Sequence, residues 1–306
     1  MLIIHIFDKL LKHLFMIMAH DEPKLLKKAT NRLNSENHYF LINVDRKRDI
    51  SPFCSLMRGN NFSFLQGEER VSVYHGAFSQ VECEIQLLRK GLESSEEFDY
   101  FHLLSGHDYP CRDNSELDSF FEAHKGQSFM HYDTDEQHIE WKQKIDDRVN
   151  KWYFKHELIH NRYAAKGLRI IANLFLKRSY PTELYAGWQW FSWHRSLAEW
   201  VVNYVDKHPD FFQRFRYTQC CDEMIFHTLL HPYIEQLNIV KDNSLRYINW
   251  NKKVEDRNHK GSPLILNEEE YDEIIESGAF FCRKVFLLKS ERLLTLLDNE
   301  KINNVG

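Results

Sequence analysis

The 306-residue chain lacks a basic excess: 40 Lys and Arg stand against 45 Asp and Glu, a formal charge of −5. A protein built to hold a nucleic-acid backbone usually carries the opposite balance, so no nucleic-acid partner is expected. GxGxxG and GxxxxGK[ST] are both missing, which argues against a dehydrogenase and a P-loop NTPase. The six cysteines include no CxxC pair, so neither a zinc ribbon nor a thioredoxin-type motif is suggested. They are too few for a disulfide framework, and reduced thiols in a reducing compartment are the simpler reading. No repeat, low-complexity tract or linker rich in Pro, Gly or Ser divides the chain. A membrane-spanning run is lacking too. Met1 to Met18 is apolar, but Asp8, Lys9, Lys12, His5 and His13 interrupt it, and about 20 apolar residues are needed to span. It has neither the basic start nor the small-residue cleavage site of a signal peptide. Leu2, Ile3, Ile6, Leu10 and Leu14 recur at helical spacing, which predicts a helix, either in the core or on a membrane surface.

Apolar residues are plentiful at 43% and support a sizeable core. Aromatics reach 14%, which suits a core and also suits carbohydrate sites, where rings stack on sugar faces. The continuous apolar runs 14–19, 39–44, 71–74 and 100–104 predict buried strands, with a fifth at 129–132. Helices are predicted from Pro23 to about Leu33, from Ser79 to Leu92 and from Ser196 to about Val205. Strand, helix, strand in this rhythm predicts an α/β sheet with mostly parallel strands. Ligands of such sheets bind outside the carboxyl ends of the strands, where Asp45 and Asp108 fall. The second half is aromatic and helical in pattern, with strand-like runs at 245–250 and 280–286. One body with two lobes is expected: a nucleotide-binding half over 14–135, an acceptor and catalytic half over 136–290, and a tail over 291–306.

Four groupings bear on chemistry. His156 to His160 is a literal HExxH, and Glu183 offers a third ligand. With 17 histidines the motif also arises by chance, and Asn161-Arg162 gives it a polar flank. Asp133 and Asp135 form a DxD that either holds a divalent metal against a nucleotide diphosphate or is a solvated turn. Asp222 and Glu223 open a helix, where the dipole stabilises acids. One of them can instead act as general base towards a sugar hydroxyl. They point about 100° apart and cannot share one task. Arg246, Lys260, Arg283 and Lys284 lie in or beside apolar stretches, so each needs a partner, either a salt bridge or a diphosphate.

These pieces occur in a fixed order: 19–23 (AHDEP), 42–47 (INVDRK), 74–81 (YHGAFSQV), 103–110 (LLSGHDYP), 187–191 (GWQWF), 222–228 (DEMIFHT), 245–250 (LRYINW) and 280–284 (FFCRK). Together they resemble the core-2/I-branching family of glycosyltransferases, which includes β-1,6-N-acetylglucosaminyltransferases and peptide O-xylosyltransferases. The resemblance covers residues 14 to about 290. It implies a GT-A-like α/β fold, a Rossmann-like nucleotide-binding half with a mixed central sheet, and a catalytic C-terminal half. It also implies a UDP-sugar donor, UDP-GlcNAc above others, inversion at the anomeric carbon, and no cofactor or metal. Carried over by motif, Glu223 is the catalytic base and Lys284 and Arg246 bind the diphosphate, with Lys260 a further candidate. His20, Asp45, His75, Gly76, Ser105 and Asp108 face the nucleotide. Trp188, Gln189, Trp190 and Asp222 lie near sugar and acceptor. The xylosyltransferases' acid at position 189 is Gln here, which speaks mildly against xylosyl transfer.

Animal members carry an anchor and many disulfides. This chain shows neither and resembles a bacterial relative, expected in the cytoplasm or at the inner face of the membrane. The implied acceptor is a glycan or glycolipid in surface polysaccharide assembly. A metal-dependent enzyme using Asp133 and Asp135, or a carbohydrate-binding relative without catalysis, are the alternatives.

Overall fold

Apolar runs that send large side chains to both sides become the central strands. In β1, His13–Ala19, Leu14 and Met16 enter one core cluster while Phe15, Ile17 and Ala19 enter another, as the twofold period of a strand requires. Strands β2 (His38–Val44) and β4 (Tyr100–Ser105) repeat this and pair with β1 in parallel on its two sides. Burial on both faces is why their sequences are nearly continuous in Phe, Leu, Ile and Tyr. The computed structural model describes residues 10–137, 148–154, 162–178, 180, 183–250 and 262–303.

The main sheet has seven strands in the order β3-β2-β1-β4-β7-β6-β8. They are completed by β3 (Phe62–Phe64), β6 (Ser128–Tyr132), β7 (Gly187–His194) and β8 (Ile239–Val240). Only β7 runs against its neighbours, β4 and β6. The result is the mixed α/β architecture of a GT-A-like fold. A small second sheet joins β5 (Tyr109–Pro110), β10 (Phe281–Arg283) and β9 (Arg246–Ile248), with β10 in the middle. Helix α1 (Pro23–Leu33) covers one face of the main sheet through Leu26 and Leu33. After the short α2 (Ser51–Leu56), α3 (Ser79–Leu92) covers the other through Val81, Leu87 and Leu88. Helix α4 (Asn114–Ala123) adds Leu117 and Phe121 on the α1 side.

Four expectations are corrected. Val71–Tyr74 is not a strand, because the Asn43 side chain takes the pairing: its Oδ1 accepts the Val71 N–H at 3.0 Å and its Nδ2 donates to the Val71 carbonyl at 3.4 Å. The three-residue β3 holds the sheet edge instead. The amphipathic pattern of the first residues does not run on as a helix to Leu14, since His13 and Leu14 belong to β1; residues 1–9 lie outside the described residues. The two halves do not divide the sheet, because β7 inserts between β4 and β6. Nor is 291–303 a tail. Leu293, Leu294 and Leu297 of the helix Glu291–Asn303 are buried with Leu25, Ala29 and Tyr109, and Asp298 accepts the Tyr109 hydroxyl at 2.6 Å.

Candidate active site

A cleft of about 730 Å³ opens where the parallel strands end. That volume suits a nucleotide-sized ligand. His20 follows β1, Asp45 follows β2 and Ser105 closes β4; all three line the cleft, at the place where open α/β sheets bind ligands.

Each strand end is locked by its own turn. The Asp45 carboxylate accepts the Lys47 N–H at 3.0 Å and its ammonium at 2.7 Å. The Lys47 Nζ also stands 4.0 Å from the Tyr74 ring centre. Asp108 is buried rather than lining the cleft. It accepts the Ser105 hydroxyl at 2.7 Å and N–H at 3.0 Å, so it positions Ser105. His75 lines the cleft; Gly76 sits behind it at φ 71°, a conformation that suits glycine. An added Cβ there would meet Cys220 Sγ at 3.1 Å. The Gly76 carbonyl also accepts the Cys220 N–H at 2.9 Å, tying this loop to the 220–223 segment.

Asp222 and Glu223 part company as their angular spacing requires. Asp222 turns inward and accepts from Gln80 Nε2 at 3.0 Å. Glu223 lines the cleft with its side chain 33% exposed. Desolvation by its surroundings raises its pKa above the ordinary carboxylate value, and the Arg148 guanidinium, 2.9 Å away, pulls it back. Behind them Gln80 joins three elements: it accepts the Gly76 N–H, donates to Asp222 and donates to Gln189 Oε1 at 3.3 Å. Gln189 in turn donates to Glu84. The Glu84 carboxyl is fully buried, and burial and then Asp222 push its pKa well up. Arg148, Gln80 and Glu84 were missed in the sequence. A Glu four residues from a Gln on the sheet-facing side of α3 was the available signal; Arg148 had none.

Of the four cations, two border the cleft. Arg283 and Lys284 line it from the end of β10. The Arg283 guanidinium lies 3.9 Å from the Trp190 ring centre and 3.4 Å from Asp108. Its Nη1 is the atom that faces Asp108, and among the described residues its buried Nε has no hydrogen-bond partner. Burial lowers the Lys284 pKa, as does Arg283 beside it, while Asp21 and Asp108 oppose the shift. The expectation for Arg246 is corrected: it is 5% exposed and lies in the core, not at the cleft. It donates to Ser192 Oγ at 2.8 Å, Leu103 O at 3.0 Å, Phe191 O at 2.7 Å and Ser244 O. Burial pushes its pKa down to about 9. Lys260 and the HExxH at 156–160 lie outside the described residues.

Trp188, Gln189 and Trp190 all line the cleft, although Trp190 is 8% exposed beneath Arg283. Glycine opens this strand because backbone crowds it: a Cβ on Gly187 would fall 1.8 Å from His131 O. The DxD does not line the cleft: Asp133 is half-buried, its N–H held by Ala186 O, and Asp135 is exposed. Among the described residues, His20, Asp21 and His107 do bring ligand atoms together at the cleft edge. The Lys284 charge also acts on His20 and Asp21.

Glu223, Arg283 and Lys284 thus line one cleft at the ends of the parallel strands of an α/β fold. The sequence profile of the Core-2/I-Branching enzyme matches residues 14–275. The chain belongs to that family. It is 28% identical to human xylosyltransferase 2 over 247 residues, 78% of this chain and 27% of that protein. Mouse xylosyltransferase 2 is 27% identical over the same share, and rat xylosyltransferase 1 is 22% identical over 95% of this chain and 35% of that protein. The chain thus spans about a quarter to a third of the length of these relatives. No helix among the described residues is long and apolar enough to cross a membrane.

Proposed function

We propose that the protein moves a sugar from a UDP-sugar to a hydroxyl of a glycan or glycolipid acceptor, with inversion and without a metal ion. The observation that supports this is that one cleft is lined by the carboxylate of Glu223 and by the cations Arg283 and Lys284. The nucleotide rests against His20, Asp45 and Ser105. Glu223, with its pKa raised towards neutrality, takes the proton of the attacking hydroxyl. Arg148 keeps it oriented and ionised. Lys284 and Arg283 receive the charge of the departing diphosphate. Attack from the side opposite the nucleotide inverts the anomeric carbon.

GlcNAc is the sugar we assign first, because Gln189 stands where the xylosyltransferases carry an acid. The named relatives favour a second reading, a xylosyl donor. A thermal-shift screen with UDP, UDP-GlcNAc, UDP-xylose, UDP-galactose and UDP-glucose, with and without Mn²⁺, separates them, since a ligand of the native state raises the melting point by mass action. The true donor also loses UDP slowly alone and faster with acceptor, which a non-catalytic binding protein would not do. Glu223→Gln is expected to abolish transfer and keep UDP binding. Activity lost to EDTA and restored by Mn²⁺ would overturn the metal-free mechanism.

A further inference from the structure

The helix Arg162–Phe175 wears its apolar side outward. Ala165 and Ala172, seven residues apart on one face, are its buried residues. Asn173 reinforces the seat, accepting the Trp152 N–H at 2.6 Å and donating to its carbonyl at 3.2 Å. At about 100° per residue, Tyr163, Ile170 and Leu174 project from the side opposite those alanines. They are 71%, 51% and 72% exposed, and Phe175 is 79% exposed. Of the eleven exposed large hydrophobic residues among those described, seven fall between 163 and 176. That is a patch rather than scatter, and a patch marks an interaction surface.

Charge names the partner. Between Glu157 and Glu183 the sequence has no acidic residue but carries Arg162, Lys166, Arg169, Lys177 and Arg178, in a chain whose formal charge is −5. Lys166 and Arg169 are exposed along one flank of the apolar face. A second copy of the helix would set cations against cations. An anionic bilayer accepts both features, with apolar side chains in the acyl boundary and cations at the headgroups.

We propose that this helix docks the protein on the surface of a membrane rich in anionic phospholipid, lying in the plane of the interface. The full chain is sedimented with vesicles of phosphatidylcholine alone or mixed equally with phosphatidylglycerol, with no sugar donor present, so the outcome is independent of the transfer reading. Binding to the mixed vesicles is expected to be at least about tenfold tighter, at about fivefold per engaged cation, and to weaken in high salt. Leu174→Asp with Phe175→Asp should weaken it at least about tenfold, with unchanged circular dichroism and melting because both side chains are exposed. Lys166→Gln with Arg169→Gln should reduce binding to the mixed vesicles alone. Failure of the wild-type chain to sediment above a vesicle-free control, or binding indifferent to the Leu174 and Phe175 changes, would overturn the proposal. So would a dimer in light scattering that those changes dissociate.

Discussion

Arg246→Met removes a guanidinium that is bonded to Ser192 Oγ and to the carbonyls of Leu103, Phe191 and Ser244. Hydrogen bonds from a charged group contribute about 1.5–3 kcal/mol each. Methionine refills part of the space, and the four bonds are not independent, so the expected loss is about 4–8 kcal/mol. Against a total stability of about 5–15 kcal/mol this is severe. It corresponds to a fall in melting temperature of at least about 8 °C. Lys284→Met makes the contrast. Its side chain is partly buried at some cost to its charge, so melting should move by no more than about 2 °C. Its loss should instead slow transfer about 10²–10³-fold and weaken UDP binding. Differential scanning fluorimetry and UDP titration on the two variants decide the matter. An Arg246→Met protein that melts like the wild type yet no longer binds UDP would refute the reasoning, and would return Arg246 to the nucleotide.

Arg148→Gln leaves the desolvation of Glu223 unopposed, so the acid limb of the kcat/KM profile should move to higher pH; an unmoved limb means that Glu223 is not the base. His13 and His227 are buried, and desolvation holds both at about 3. Unfolding lets each take a proton below about pH 6.5, so stability should fall as pH drops from there towards 3, by about 1 kcal/mol per pH unit for each imidazole. Melts that do not change between about pH 7.5 and 4.5 would contradict this. Gly187→Ala must displace the His131 carbonyl or the strand itself, and should cost about 3 kcal/mol in urea unfolding; a neutral result would mean that the crowding at this turn is not real.

The parallel centre of the fold was legible because β1, β2 and β4 are buried on both faces and carry long apolar runs. Helix α3 appeared with the predicted ends, Ser79 and Leu92. What stayed hidden depends on partners far away in sequence. Val71 reads as strand until Asn43, 28 residues earlier, takes its pairing groups. Arg246 reads as a ligand-binding cation because its real acceptors are mostly backbone carbonyls, which have no signature in side-chain sequence. Topology alone placed Asp45 at the cleft, but it placed Asp108 there too, which is buried behind Ser105; Ser105 itself was named only through the resemblance. Arg148 could not be placed, since nothing local ties it to a glutamate 75 residues away.

The single amide of Gln80 has a consequence for anyone redesigning sugar choice. It clasps the 76 loop, the 222 turn and the 189 strand at once. An alteration at Gln189 meant to admit a different donor therefore reaches the 76 loop at the cleft and the turn that carries Glu223, the proposed base. Selectivity and turnover should drift together in such variants, and recovering one without the other will require a matching change at position 80 or 84.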